Sequence, residues 1–343
     1  MSADFGYINA RVRGLKSRLL GPEFYTQALG DSDFAAFVTT LAQTDYMSDL
    51  EEAQAQADGL EAVDRALARN FWRITRSILN FTDGWPHELV AMLLMKYDVA
   101  NVKAAVRARH AGRSAEDAAD ALLPAGQLKP AILEQLTQAS DVAGIAQVFS
   151  ATGHPLSEDV RAAGRIYQDD PDGDLFGFEL ALDRAYVRRL LELAEELPLP
   201  KEFADWLRLQ ADGTNLLTAL KLRGRELPAF DLFIDSGKGA SVNRSTFDAL
   251  IASEDGDLSA ISGGPFDGLS GADSLSVADA MVRSVIDERV RKLAAVDPLG
   301  PFVVPDYLRR KEREVARLRL LARGKFYSVP RERLEMELSS GDA

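Results

Sequence analysis

Asp98-Val-Ala-Asn101-Val-Lys-Ala-Ala-Val-Arg107-Ala-Arg109 reads in step with Asp212-Gly-Thr-Asn215-Leu-Leu-Thr-Ala-Leu-Lys221-Leu-Arg223 and with Glu314-Val-Ala-Arg317-Leu-Arg-Leu-Leu-Ala-Arg323-Gly-Lys325. Each stretch has an acid, a long polar residue three on, an apolar residue four on, and basic residues nine and eleven on. The acids lie 114 and 102 residues apart. Similarity that returns in a fixed order marks a chain assembled from repeated units.

Two further markers precede each copy. Glu61-Ala-Val-Asp-Arg65, Asp183-Arg184 and Asp279-Ala-Met-Val-Arg283 place an arginine beside an acid or four residues after it; these arginines sit 36, 31 and 34 residues before Asn101, Asn215 and Arg317. Earlier still come Leu41-Ala-Gln-Thr44-Asp-Tyr46, Phe149-Ser-Ala-Thr152-Gly-His154 and Ile261-Ser-Gly-Gly264-Pro-Phe266. Three markers in one order, three times over, predict a pseudo-threefold repeat with lobes at 1–115, 116–228 and 229–343.

The repeated stretches have helical periodicity. From Glu88 onward, Met92, Met95, Val99, Val102 and Val106 form one apolar stripe, with Pro86 and Gly112 as start and stop signals. A second stripe after Asp183 runs through Tyr186, Leu190, Leu193 and Leu197 to Pro198 and Pro200; a third runs from Pro305 through Leu308, Val315, Leu318 and Leu321 to Gly324. Strand-like alternation is confined to isolated pieces such as Phe230 to Ile234. The expected fold is all-α, each lobe ending in a long amphipathic helix. In the second copy Gln168-Asp-Asp-Pro-Asp-Gly-Asp174 is a charged insertion, expected as a surface loop.

Composition narrows the function. The 343 residues carry 40 basic and 53 acidic side chains, a net charge of −13, and phosphate contacts need the opposite balance, so nucleic acid is not an expected partner. With no Cys and three scattered histidines (His87, His110, His154), disulfides, thiolate chemistry and a metal site are not expected. The opening lacks the layout of a signal peptide, and the longest strongly apolar run, Leu89 to Met95, is far below the roughly 20 residues of a membrane span. A cytoplasmic protein without a direct membrane span is expected.

Candidate chemical motifs fail on their own requirements. Ser236-Gly-Lys238-Gly-Ala-Ser241 has Leu232 where a phosphate loop needs its first Gly, and Gly239 where it needs Ser or Thr. The Gly-rich run from Ser262 to Gly271 is broken by Pro265 and reads as a connector. Asp170, Asp172 and Asp174 resemble the opening of a calcium loop, but Leu175 and Ala181 stand where Gly and Glu are required. No nucleophile motif is present and no carboxylate pair stands out, so neither catalytic residues nor a cofactor are expected.

The charges suggest structure and docking instead. Asp98 and Arg109 share a helix face but lie about 16 Å apart along the axis, too far to pair. The expected fasteners between long helices are therefore Arg65 with Asp98, Arg184 with Asp212, and Arg283 with Glu314. Basic residues crowd both ends: Arg11, Arg13, Lys16 and Arg18, then Arg309, Arg310, Lys311, Arg313, Arg317, Arg319, Arg323 and Lys325. Such polarity suits a docking surface for an acidic partner. Charge reversal at Arg309, Arg310 and Arg313 is expected to loosen assembly without unfolding the chain.

The opening Phe5-Gly-Tyr7-Ile-Asn-Ala-Arg11-Val-Arg13, the three acid-x-x-Asn/Arg helices and the ending Arg317-Leu-Arg-Leu-Leu-Ala-Arg-Gly-Lys325 together resemble the C (AC39) family of V/A-type ATP synthase subunits, counterpart of the d component of eukaryotic vacuolar ATPases. The resemblance implies a non-catalytic, funnel-shaped body of three helical lobes. It implies a socket between the central rotor shaft and the membrane proteolipid ring, peripheral to the membrane through the complex, that couples ion movement to ATP synthesis or hydrolysis. Arg317 departs from the pattern set by Asn101 and Asn215, so that position cannot serve one role in all three copies. The competing readings are a generic helical-repeat adaptor and a helical enzyme using paired carboxylates; the second would need a deep pocket holding a strongly shifted acid.

Overall fold

The computed structural model describes residues 5–169, 175–225, 231–254 and 257–340. Regular structure among them is helical throughout, without a strand, so the all-α reading holds. The acidic residues 170–174, the 228/229 boundary and Phe230 lie outside the described residues; 231–234 has no regular structure.

The helices recur in one order. After α1 (Gly6–Lys16), three short helices, α2 (Pro22–Gly30), α3 (Phe34–Leu41) and α4 (Met47–Gln54), lead to two long ones, α5 (Gly59–Asn80) and α6 (Gly84–His110). Beyond α7 (Ala115–Asp120) the order returns as α8 (Pro130–Gln138), α9 (Val142–Ser150) and α10 (Ser157–Asp169), then the long α11 (Leu175–Glu196) and α12 (Lys201–Leu222). It returns again as α13 (Arg244–Ala252) and two 3₁₀ turns, Ser259–Ile261 and Asp267–Gly271, then α14 (Leu275–Val296) and α15 (Val303–Phe326); α16 (Arg331–Ser340) ends the series.

Local chemistry sets the helix ends. Asp33, Asp141 and Asn243 cap α3, α9 and α13 by accepting the N–H groups of Ala36, Gly144 and Thr246, which lack intrahelical partners. Pro86 sits in the third position of α6 rather than at its start, where its missing N–H costs nothing. Gly112 ends α6 at φ +64°, and the following Arg113 N–H reaches back to the Ala108 carbonyl at 2.9 Å. Gly324, expected as a stop, lies inside α15. A Cβ there would overlap the Leu334 side chain, so this glycine serves the seating of α16 on α15.

The helices pack into two compact units, whose dividing points fall inside α6 and α14. One unit holds 91–286. In it α10 packs on α9 and α11, α12 on α11 and α13, and α8 on α7 and α9. Its core contains Leu94, Val102, Val106, Phe149, Leu182, Phe203, Leu216 and Leu250. The other unit joins the two ends of the chain, 5–90 with 287–340. There α15 packs on α1, α3, α5 and α16, around Val12, Phe37, Leu41, Leu67, Ile78, Leu318 and Leu321. Each such side chain contributes about 1.5–3 kcal/mol relative to exposure, which makes the last long helix an apolar support of the first ninety residues.

Gly324→Ala should therefore destabilise the chain by about 1–3 kcal/mol through overpacking. Leu334→Ala should cost less in that background than alone, a coupling that thermal melts of the two single variants and the double variant will read.

Candidate functional site

The repeated acids are buried: Asp98 is 0%, Asp212 2% and Glu314 4% exposed. An ionised carboxylate leaves water at great cost unless N–H groups, hydroxyls or cations meet its oxygens. Asp98 on α6 accepts the backbone N–H groups of Gln127 (2.8 Å) and Leu128 (3.1 Å), just ahead of α8. Asp212 on α12 accepts the Ser241 N–H and hydroxyl, both at 2.6 Å, and the Ser236 hydroxyl at 3.3 Å, just ahead of α13. Glu314 on α15 accepts the Leu20 N–H at 2.6 Å, just ahead of α2. A Cβ at Gly126 would overlap the Asp98 carboxylate, so that turn requires glycine.

Three residues on, Asn101 and Asn215 make matched double bonds to the chain. Asn101 donates to the Leu123 carbonyl at 2.8 Å and accepts its N–H at 2.7 Å; Asn215 does the same with Ile234 at 2.8 and 2.9 Å. Arg317, in the third copy, lies over the Tyr25 ring at 5.1 Å instead. Ile234, in the irregular 231–234 segment, thus offers its peptide groups to a helix side chain rather than to a sheet.

The early marker also returns to these acids. Thr44 and Thr152 bond back to the carbonyls of Leu41 and Phe149 (2.6 and 2.7 Å) and accept the N–H groups of Tyr46 and His154. Tyr46 then donates to Glu314 at 2.8 Å, and His154 Nε2 lies 3.4 Å from the Asp98 carboxylate. His154 Nδ1 accepts the Leu156 N–H, which leaves the ring proton on Nε2, facing the acid. In the third copy Phe266 is apolar; its ring lies 3.7 Å from where a Gly213 Cβ would be.

The arginines expected as fasteners each meet an acid near their own helix. Arg184 donates to the Phe233 carbonyl and pairs with Asp231 at 3.3 Å, while Asp212 accepts from Ser236 and Ser241. Arg65 lies 2.7 Å from Glu61 and Arg283 2.8 Å from Asp279, each one turn away on its own helix. A long flexible side chain at a helix surface reaches an i,i+4 acid at low entropic cost, whereas the buried acids are reached by main chain.

Basic residues at the two ends also turn inward. Arg309 and Arg313 both hold Asp287, and Arg310 holds Asp306 at 3.0 Å, which Lys16 also meets at 2.7 Å. Arg319 and Arg323 approach Asp64 at 3.6 and 3.3 Å, Lys325 donates to the carbonyls of Leu29 and Asp31, and Arg13 donates to the Pro298 carbonyl. The basic last helix is therefore a set of internal fasteners. Reversing Arg309, Arg310 and Arg313 would set carboxylates against Asp287 and Asp306 and would disturb folding.

Periodicity gave no signal for one member of this set. Lys311, 3% exposed, donates to Glu314 at 2.6 Å and to the Tyr46 hydroxyl at 2.8 Å. Burial lowers its pKa, against the opposing pull of Glu314. Burial and then the Glu314 charge raise Tyr46 and Tyr307, and push Tyr25 up to about 12. The cluster is a neutralised ionic core with a structural role. Among the described residues no three His, Asp or Glu side chains are grouped to hold a metal ion, and no helix is long and apolar enough to cross a membrane.

Lys311→Met should cost about 3–5 kcal/mol, because buried Glu314 loses its cation, and the Lys311→Met/Glu314→Gln double variant should cost less; urea unfolding checks both. Tyr25 has its ordinary value of 10.0 in the unfolded chain. The stability it lends is fully present below about pH 10 and is lost as pH rises toward about 12. Denaturation midpoints should fall across that interval, and fall less steeply in Tyr25→Phe.

The family model described as ATP synthase (C/AC39) subunit matches residues 8–337 of the chain. The C subunit of a V-type ATP synthase from Deinococcus radiodurans is 33% identical over 340 residues, covering 99% of this chain and 92% of the relative. The protein of the same description from Thermus thermophilus is 35% identical over 338 residues, with 98% and 99% covered. The C subunit of an A-type ATP synthase from Haloferax volcanii is 28% identical over 345 residues, with 97% and 96% covered.

Proposed function

We infer the function from one premise: the chain belongs to the ATP synthase (C/AC39) subunit family. It is a non-catalytic subunit of a V/A-type rotary ATP synthase, a complex that works at a membrane. The observation that carries this is similarity along nearly the whole chain, from residue 8 to 337, to relatives of matching length. Beyond family membership, we propose that the chain is a cytoplasmic socket. It holds the end of the central rotor shaft on one side and the proteolipid ring on the other, transmitting torque between ion translocation and ATP synthesis or hydrolysis.

The fold supports that reading by its internal consistency. A torque-bearing adaptor requires stiff, well-packed helices and broad complementary contacts rather than a pocket. Long helices pinned to the main chain by buried acids supply stiffness, and the recurring helix order suits three similar lobes at about 1–115, 116–228 and 229–343. Arg309, Arg310 and Arg313 remain the proposed docking residues, acting through the faces that their internal pairs leave exposed.

The chain, tagged and recovered from the membranes of its own cells under mild detergent, should carry both a coiled-coil shaft protein and a proteolipid ring. Recovery without either would overturn the socket reading. Complexes rebuilt without the chain should hydrolyse ATP with little ion pumping; normal pumping would equally overturn it. For the basic helix, Arg309→Glu/Arg313→Glu combined with Asp287→Arg keeps the internal pairs while reversing the surface. Weaker complex formation with an unchanged melting temperature is expected.

A further inference from the structure

We propose that Asp98, Asp212 and Glu314 are three equivalent interlocks: each acid, on the last long helix of one copy, fixes the main chain that opens the first short helix of the next, and the acid of the last copy serves the first. Three independent correspondences carry this. The acids occupy the same place in the three aligned helices. The N–H groups they accept belong to Gln127 and Leu128, ahead of α8 at Pro130, to Ser241, ahead of α13 at Arg244, and to Leu20, ahead of α2 at Pro22. Finally, the residue five on from Leu41, Phe149 and Ile261 comes to the acid or to the residue beside it. Tyr46 reaches Glu314, His154 reaches Asp98, and Phe266 lies beside Gly213, next to Asp212.

The consequence is a cyclic dependence in chain order. A linear array of helical repeats has two end copies, each lacking a neighbour on one side. Here the third copy's acid takes up the first copy's opening backbone, 294 residues away in sequence, so no copy is terminal. The three links differ in chemistry. That of Asp98 is two amides, with the His154 imidazole 3.4 Å away, that of Asp212 one amide and two hydroxyls, and that of Glu314 one amide, a phenol and the Lys311 ammonium. What they share is an acid that grips the following copy's entry segment by its main chain, to which the Ser236 and Ser241 hydroxyls add only at Asp212. This explains why the acids recur in the sequence while the gripped residues do not resemble one another.

The test is hydrogen exchange, resolved by mass spectrometry, on the full chain carrying Asp98→Asn, Asp212→Asn or Glu314→Gln. Each variant keeps the shape of the acid and removes its charge. Asp98→Asn should speed exchange at Gln127 and Leu128 by about tenfold or more, Asp212→Asn at Ser241, and Glu314→Gln at Leu20, near the opposite end of the chain, each leaving the other two entry segments unchanged. Asn101→Ala is the control, opening Leu123 while sparing Leu20 and Ser241. Equal acceleration at all three entry segments in every variant would show a general loss of stability and overturn the proposal. If a variant does not fold, the unaltered chain still decides. Leu20, Gln127, Leu128 and Ser241 should exchange more slowly than the exposed connector amides Ser32 and Asp33, and equal or faster exchange would overturn the assignment.

Discussion

A carboxylate removed from water must be met by donors, and the nearest donors that a folding chain always carries are its own peptide N–H groups. Asp98, Asp212 and Glu314 turn that necessity into architecture. Each sits on a helix whose apolar stripe is already committed to a core, and each draws an otherwise irregular stretch of backbone onto that helix. The connectors between long helices and the following short ones are thus held by charge-assisted bonds as well as by buried side chains such as Leu128 and Val242. Direction matters as well as strength, because an amide can approach a carboxylate only along a narrow range of angles.

The sequence made the helices legible because their apolar residues recur every three or four positions, as in Met92, Met95, Val99, Val102 and Val106. It also marked the three acids, since a repeated residue is visible without knowing its partner. The partners stayed hidden for a physical reason. A backbone N–H carries no residue identity, so Leu20, Gln127 and Ser241 could not be singled out by letter. The arginines were visible too, but Arg65 and Arg283 are met by acids one turn away, where helix geometry brings opposite charges together without long-range folding. Gly324 shows a similar ambiguity: glycine ends helices, but it also admits a close neighbour, and only the position of Leu334 separates the two roles.

The charge imbalance takes on a local meaning. A net charge of −13 is spread over many exposed acids, yet the last long helix is rich in Arg and Lys because the groups around it are acidic or carbonyl-bearing. Asp64, Asp287, Asp306 and the end of α2 each receive one or more of its cations. A basic run in an acidic protein is thereby as much a sign of internal complementarity as of an external partner. For a member of a rotary complex this has a mechanical aspect, since a helix fastened along its length by ion pairs and a buried Lys–Glu contact resists sliding as well as bending.

The joining of residues 5–90 with 287–340 in one compact unit has a consequence for biosynthesis. A ribosome releases the first helices long before the helix that shelters their apolar faces exists. At the usual elongation rate of about 5–20 residues per second, the intervening stretch takes on the order of ten seconds or more to emerge. During that delay Phe37, Leu41, Leu67 and Ile78 lack their α15 cover, so the nascent amino-terminal segment is a natural client for chaperones, and a message truncated before α15 would yield an unfinished, aggregation-prone product.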